Sequence, residues 1–190
     1  ALGSKQLLGQ VGYLPDGAPF PPELPARRTL ELMATLLHMP RKDRRSCAEG
    51  LLEKVGLGHV ARCPIGQFSK GMQRRIGLAQ ALINDPDLVI LDEPTAGLDP
   101  IGCREIKDLI VALAKRGKTI ILSSHLLSDV EDVCDRVVIY YGGRIQAQGT
   151  LQDLLVEPDV TRITSPVLKR ETMDKVLNTI RSEIKDGSVT

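Results

Sequence analysis

The sequence predicts an α/β fold: a mostly parallel sheet with helices packed on it, accompanied by a separate helical lobe. Two observations carry this. Leu88-Val89-Ile90-Leu91 and Thr119-Ile120-Ile121-Leu122-Ser123 are too short for helices and lack alternation, so they read as strands buried in a parallel sheet. From Leu88 onward such strands alternate with amphipathic helical stretches, the pattern of βαβ units. Residues 20–85 are nearly all helical in pattern, which sets them apart as a lobe.

Taken in order, Val11–Leu14 is a short strand halted by Pro15, and residues 16–25 hold four prolines and a glycine, a loop composition. In Thr29–His38 a helical stripe runs through Leu30, Met33, Leu36 and Leu37. In Lys42–Val55 another runs through Cys47, Leu51, Leu52 and Val55, with Gly56 placed to end the helix. Ser69 is placed to cap a helix reaching about Ile83, before Pro86 blocks continuation. Asp99-Pro100 reads as an N-cap followed by proline at the first helical position, and Gly117 closes that helix. His38 and His59 are expected to be structural. Leu127 to Cys134 mark a further helix. Gly142-Gly143 joins Val137–Tyr141 to Arg144–Ala147 as a hairpin, and Thr150 with Asp153 resembles a capping box. Beyond Glu157, Val160–Val167 has strand character and Met173, Val176, Leu177, Ile180 and Ile184 would share a helix face.

Composition narrows the function classes. The 190 residues are 42% apolar and 26% charged, ordinary globular usage, and no apolar run approaches the ~18 residues a membrane span needs. Net charge is +1, aromatics are 3% and tryptophan is absent, so no nucleic-acid partner is expected. Cys47, Cys63, Cys103 and Cys134 form no CxxC pair, which removes a zinc site and suggests reduced, mostly buried thiols in a cytosolic protein.

The chemistry concentrates where strands end. Leu88–Leu91 runs into Asp92-Glu93, two adjacent carboxylates at the carboxyl end of a buried strand, the edge where parallel α/β sheets place ligands. Asp92 there suits a magnesium ion held through water, and Glu93 can activate an attacking water. Phe68-Ser69-Lys70-Gly71-Met72-Gln73 opens a helix with a hydroxyl and free N–H groups, a setting for an anion. Gly97-Leu98-Asp99 follows the acid pair closely, and His125 follows the second buried strand on the same edge.

These segments, in this order and spacing, resemble the nucleotide-binding domain of ATP-binding-cassette (ABC) proteins over residues 10–150. Asp92-Glu93 looks like the Walker B pair, Ser69-Lys70-Gly71-Met72-Gln73 like the signature motif, Gly97-Leu98-Asp99 like the D-loop and His125 like the switch histidine. Gly12-Tyr13-Leu14-Pro15 looks like the approach to the Q-loop, with Asp16 at the position commonly held by glutamine. Lys70 and Met72 depart from the commonest signature in a way familiar among exporters whose membrane subunits are separate chains.

The resemblance implies a P-loop NTPase (RecA-like) core, incomplete at its N-terminus, plus a helical subdomain. Residues 1–19 would hold a core strand and the Q-loop, 20–85 the helical subdomain, 86–156 the rest of the core and 157–190 an extension of unassigned role. It implies ATP and Mg²⁺ as cofactors, with Glu93 and His125 catalytic and Asp92 on the metal. Asp16 would stand near the metal and link it to the helical lobe. Ser69, Lys70, Gly71 and Met72 would meet nucleotide held by the opposite subunit, and Gly97, Leu98 and Asp99 would lie at the dimer seam. The implied partners are a second ATP-binding subunit, identical or not, and a membrane-spanning transporter subunit. The implied place is the cytoplasmic face of the cell membrane.

No G-x-x-x-x-G-K-[ST] occurs in the sequence. In the resembled family that loop lies upstream of the Q-loop, so the sequence is expected to be part of a longer ATPase. The loop's strand would lie between Thr119–Ser123 and Val137–Tyr141. Without it the chain is expected to be poorly stable, to associate through open sheet edges and to hydrolyse negligible ATP. The alternatives are a non-transport ABC ATPase acting on DNA or ribosomes, or a non-enzymatic interaction fragment. The ordinary size of the lobe between Asp16 and Ser69 speaks against the DNA-acting relatives, which carry long insertions there.

Overall fold

The structure, a computed structural model, describes residues 9–17 and 20–155. Residues up to Leu151 form one compact unit, and a second begins at Gln152. The elements are β1 (Val11–Leu14), α1 (Ala26–Leu36), α2 (Arg41–Lys54), two short 3₁₀ turns, α3 (Lys70–Ala81), β2 (Leu88–Asp92), α4 (Pro100–Lys115), β3 (Thr119–Ser123), α5 (Leu127–Val133), β4 (Val137–Tyr141), β5 (Arg144–Gly149) and α6 (Leu151–Leu155). The expected strand over 160–167 and helix over 173–184 lie outside the described residues.

β1, β2 and β3 form a parallel sheet in that order, with β2 in the middle. The register sets Leu14 beside Leu91 and Asp92 beside Ser123. Val89 and Leu91 of β2 are fully buried, as are Ile106 and Ile110 on the apolar stripe of α4. β1 runs so close to α3 that a side chain at Gly12 would put its Cβ 2.1 Å from the Ala81 carbonyl oxygen.

The helical lobe closes on Leu30, Ala34, Leu51, Leu52, Leu57 and Ile76, all at most 5% exposed. The stripe expected on α1 is shifted. Ala26, Thr29, Leu30 and Ala34 face the core, while Leu36 and Leu37 are 64% and 45% exposed. The helix closes just beyond them. His38 takes a left-handed backbone (φ 62°), and Met39 N–H and His38 N–H return to the Ala34 and Thr35 carbonyls. Leu36 and Leu37 precede that turn and line an open groove with Val11, Tyr13 and Met33 instead of entering the core. α2 ends the same way on Gly56 (φ 70°), whose N–H donates to Glu53 while that of Leu57 donates to Leu52.

Two other expectations are corrected. β3 is not buried on both faces: Ile120 and Leu122 pack on the core, but Ile121 is 55% exposed. The cysteines are free thiols, as expected, but all four are half-buried, with Cys47 and Cys63 at the margin of the core. β4 and β5 form the expected hairpin over Gly142-Gly143, both at positive φ, with a register shift at Ile139/Tyr140. Among the described residues this hairpin is a sheet of its own, and no strand lies between β3 and β4.

Candidate functional site

β2 leaves the core and turns immediately. Glu93, its next residue, has a left-handed backbone (φ 46°), a conformation that costs a residue with a Cβ and is found where surrounding contacts enforce it. The contacts come from the end of β3. Ser123 Oγ accepts from the Glu93 N–H at 3.0 Å and donates to Asp92 Oδ1 at 2.7 Å. One hydroxyl thus fixes both the turn and the first carboxylate, and it is in place because parallel register sets Asp92 beside Ser123. Ser123 is a residue the motif reading passed over.

His125 lies two residues beyond Ser123, and its Nδ1 is 2.9 Å from Glu93 Oε2. With Glu93 ionised, Nδ1 carries the proton and donates, which leaves Nε2 directed at other partners. Three of the sequence-predicted residues, Asp92, Glu93 and His125, therefore meet at one strand edge.

Behind them lies a buried link. The Thr95 hydroxyl donates to Asp129 Oδ2, and Lys107 Nζ sits 2.7 Å from Asp129 Oδ1 and 2.8 Å from Asp132 Oδ2. Thr95 and Asp129 are 4% and 5% exposed. Burial alone would push the Asp129 carboxyl up, but the Lys107 and Thr95 hydrogen bonds and the Lys107 charge outweigh it and hold the carboxyl low. Its hydrogen bonds to Asp129 and Asp132 push Lys107 up.

The signature-like residues gather elsewhere. Ser69 caps α3, its Oγ accepting from the Met72 N–H at 3.2 Å, while the Met72 side chain packs toward the core. Asp99 caps α4 through the Gly102 N–H. Ser69, Lys70 and Gly71 share a cavity of about 250 Å³ with Gly97, Leu98 and Asp99. Asp92, Glu93 and His125 do not line it. Gly97 is at φ 71°, and the Lys70 ammonium approaches so closely that a Cβ there would be 3.6 Å from Nζ.

Asp16 lies at a third place. Its carboxylate pairs with Arg74 of α3, whose Nη1 also donates to the Pro15 carbonyl at 3.0 Å. Asp16 and Lys70 face a shared cavity of about 270 Å³ with Gln73, Arg74 and Ala96. Arg74, Thr95, Lys107 and Asp129 escaped sequence reasoning. The only signal was position: Arg74 four residues beyond Lys70 on one helix, Asp129 four beyond His125.

Which groups could these residues hold? Among the described residues no three metal-ligating side chains cluster, so a hard cation at Asp92 would keep water and phosphate oxygens as its remaining ligands, the usual state of Mg²⁺. Ser123 engages Asp92 through Oδ1, which leaves Oδ2 for that role. The residues fit the metal side and the catalytic side of a nucleotide site. The phosphate-cradling loop is the part for which the sequence holds no motif.

A parallel α/β core with an acid pair and a histidine at the strand edge, and a capped helical lobe beside it, defines a P-loop NTPase-like nucleotide-binding fold. Residues 3–96 match the family described as ABC transporter. The chain is 36% identical over 184 residues, 96% of its length and 52% of the relative's, to an ABC transporter ATP-binding protein of Synechocystis. It is 41% identical over 142 residues, 75% of this chain and 60% of the other, to the lantibiotic transport ATP-binding protein SrtF of Streptococcus pyogenes. It is 42% identical over 142 residues, 74% and 45% of the two chains, to the bacitracin transport ATP-binding protein BcrA of Bacillus licheniformis. Among solved structures it resembles CbiO1 of Clostridium perfringens, part of the CbiONQ transporter complex, at TM-score 0.70 and 31% identity, covering 81% of this chain and 62% of that one. The chain belongs to the ABC transporter ATP-binding family, and it spans about half the length of the curated relatives it matches. No helix among the described residues is long and apolar enough to cross a membrane.

Proposed function

We propose that the chain is part of an ATP-hydrolysing subunit that powers export through a membrane-spanning partner, working at the cytoplasmic face as one of a pair of ATP-binding subunits. The observation that carries the reading is the His125–Glu93 contact of 2.9 Å beside Asp92. Glu93 polarises the attacking water, His125 presents Nε2 to the terminal phosphate, and Asp92 holds Mg²⁺ through water. Asp16, paired with Arg74, ties this region to the helical lobe.

Ser69, Lys70 and Gly71 line a cavity that the acid pair does not, which accords with their serving nucleotide on the opposite subunit, with Gly97, Leu98 and Asp99 at the seam. Export is favoured by the relatives named for lantibiotic and bacitracin transport and for fluoroquinolone export. The 190-residue chain holds no phosphate-loop motif, so by itself it hydrolyses negligible ATP.

Calorimetry with ATP and Mg²⁺ tests this, using the chain alone and the chain preceded by a phosphate-loop segment from a relative. The expected result is binding and hydrolysis only with the added segment, abolished by Glu93→Gln. Tight binding and turnover by the chain alone, or undiminished turnover in Glu93→Gln, overturns it.

A further inference from the structure

We propose that Asp129 is a positioning residue: held by Thr95 and Lys107, it sets where His125 meets Glu93. This rests on the functional reading above and adds to it a second, buried joint between the same two connections.

The argument is one of geometry. Two short segments meet at the site, 92–99 leaving β2 and 123–129 leaving β3. They touch at three points: Ser123 against Asp92 and the Glu93 N–H, His125 against Glu93, and Asp129 against Thr95. His125 is 68% exposed on its side chain, so water competes for its contact with Glu93. Thr95 and Asp129 are almost fully buried, so their hydrogen bond lies beyond that competition.

Asp129 is also in the first turn of α5, where its N–H and that of Val130 both donate to the Leu126 carbonyl. Fixing Asp129 therefore fixes the entry to the helix, and His125 is the residue just before that entry. At the other end Thr95 is two residues past Glu93, across the turn held at positive φ. The four residues close a ring, and the buried side holds the exposed side in register. Lys107 completes it by neutralising Asp129 and by donating to the Ser128 carbonyl at 3.4 Å, which adds a tie from α4 to the same turn.

The test is the imidazole ¹⁵N–¹H spectrum of His125 in the 190-residue chain preceded by a phosphate-loop segment, recorded without nucleotide so that it needs no hydrolysis. Thr95→Val removes the hydroxyl, leaves the Asp129–Lys107 pair and keeps the shape. It is expected to shift or broaden the His125 resonances, as is Asp129→Asn, while Thr95→Ser restores them. Unmoved His125 resonances in folded Thr95→Val overturn the proposal. In the chain joined to a phosphate-loop segment, Thr95→Val is expected to lower kcat about tenfold or more with KM changed less than about twofold, since positioning acts on the chemical step. Unchanged kcat there also overturns it. Failure of the catalytic reading shows separately, as hydrolysis surviving Glu93→Gln.

Discussion

Arg74 is joined to Asp16 across 58 residues of sequence, and its second terminal nitrogen donates to the carbonyl of Pro15. The two partners differ in setting, Arg74 being 11% exposed and Asp16 60%. The exposed acid contributes little, so Asp16→Asn is expected to lower stability by less than about 1 kcal/mol. Arg74→Ala loses the packed stem and leaves the Pro15 carbonyl without its donor, and is expected to cost about 1–2 kcal/mol more. Urea unfolding of the two variants checks the order.

Two glycines in the core separate backbone clashes from side-chain clashes. A Cβ at Gly12 would lie 2.1 Å from the Ala81 carbonyl oxygen and 2.9 Å from Pro86 Cγ, so β1 and α3 must part. A Cβ at Gly77 would lie 2.5 Å from Leu14 Cδ1, the tip of a side chain that can rotate. Gly77→Ala is expected to cost about 1–3 kcal/mol, and Gly12→Ala more than about 3 or loss of folding. Thermal unfolding followed by circular dichroism ranks them.

The helix caps give a local prediction. Ser69 and Asp99 each accept from an N–H three residues on. Ser69→Ala and Asp99→Ala are each expected to lower stability by about 1 kcal/mol. Because Ser69 and Asp99 line one cavity, the double variant also reads any coupling between the two caps as a departure from the sum. Denaturant melts of the single and double variants measure both.

Stability should depend on pH through the Asp129–Lys107 pair. Asp129 is held below its ordinary value, burial being outweighed by Lys107 and Thr95. Its contribution is therefore present above the unfolded pKa of about 3.9 and is lost as pH falls through the lower folded value. Lys107 is raised by Asp129 and Asp132, so its contribution is present below about 10.4 and is lost as pH rises through the higher folded value. Asp129→Asn is expected to be most destabilising near neutral pH, with the gap to the parent closing in acid. Unfolding free energies measured across the pH range check it.

Open apolar strands predict association. Ile121 of β3 is 55% exposed, and Val138, Ile139 and Tyr140 of β4 are 57%, 47% and 67% exposed. Such strands pair with other chains unless charged or covered. The 190-residue chain is expected to sediment as oligomers at micromolar concentration, and Ile121→Lys with Val138→Lys to shift it toward monomer. A wild-type chain that stays monomeric contradicts this.

Much of the fold was legible because its signals are short-range. Ser69 and Asp99 are recognisable as caps from residues three positions apart, and Gly56 and Gly117 as helix ends from their tolerance of positive φ. The His38 turn was not, since a histidine carries no such mark, and the exposure of Leu36 and Leu37 was not either, since helical spacing does not say what covers a stripe at its end. Ile121 was read as buried because an apolar run records what a strand prefers, not what covers it.

Read alone, the residues define the class of fold, the positions of its helices and strands, and a motif order that places Asp92, Glu93 and His125 at strand ends. The three-dimensional packing decides the rest. The Ser123 hydroxyl shared between Asp92 and the left-handed Glu93, the Thr95–Asp129–Lys107 link and the Arg74–Asp16 pair all join residues more than 20 apart in sequence. Each depends on the register of parallel strands or the seat of a helix. A one-residue slip of β3 against β2 would take Ser123 away from Asp92, and a turn of a helix would part its side chain from its partner, so no local pattern can encode them.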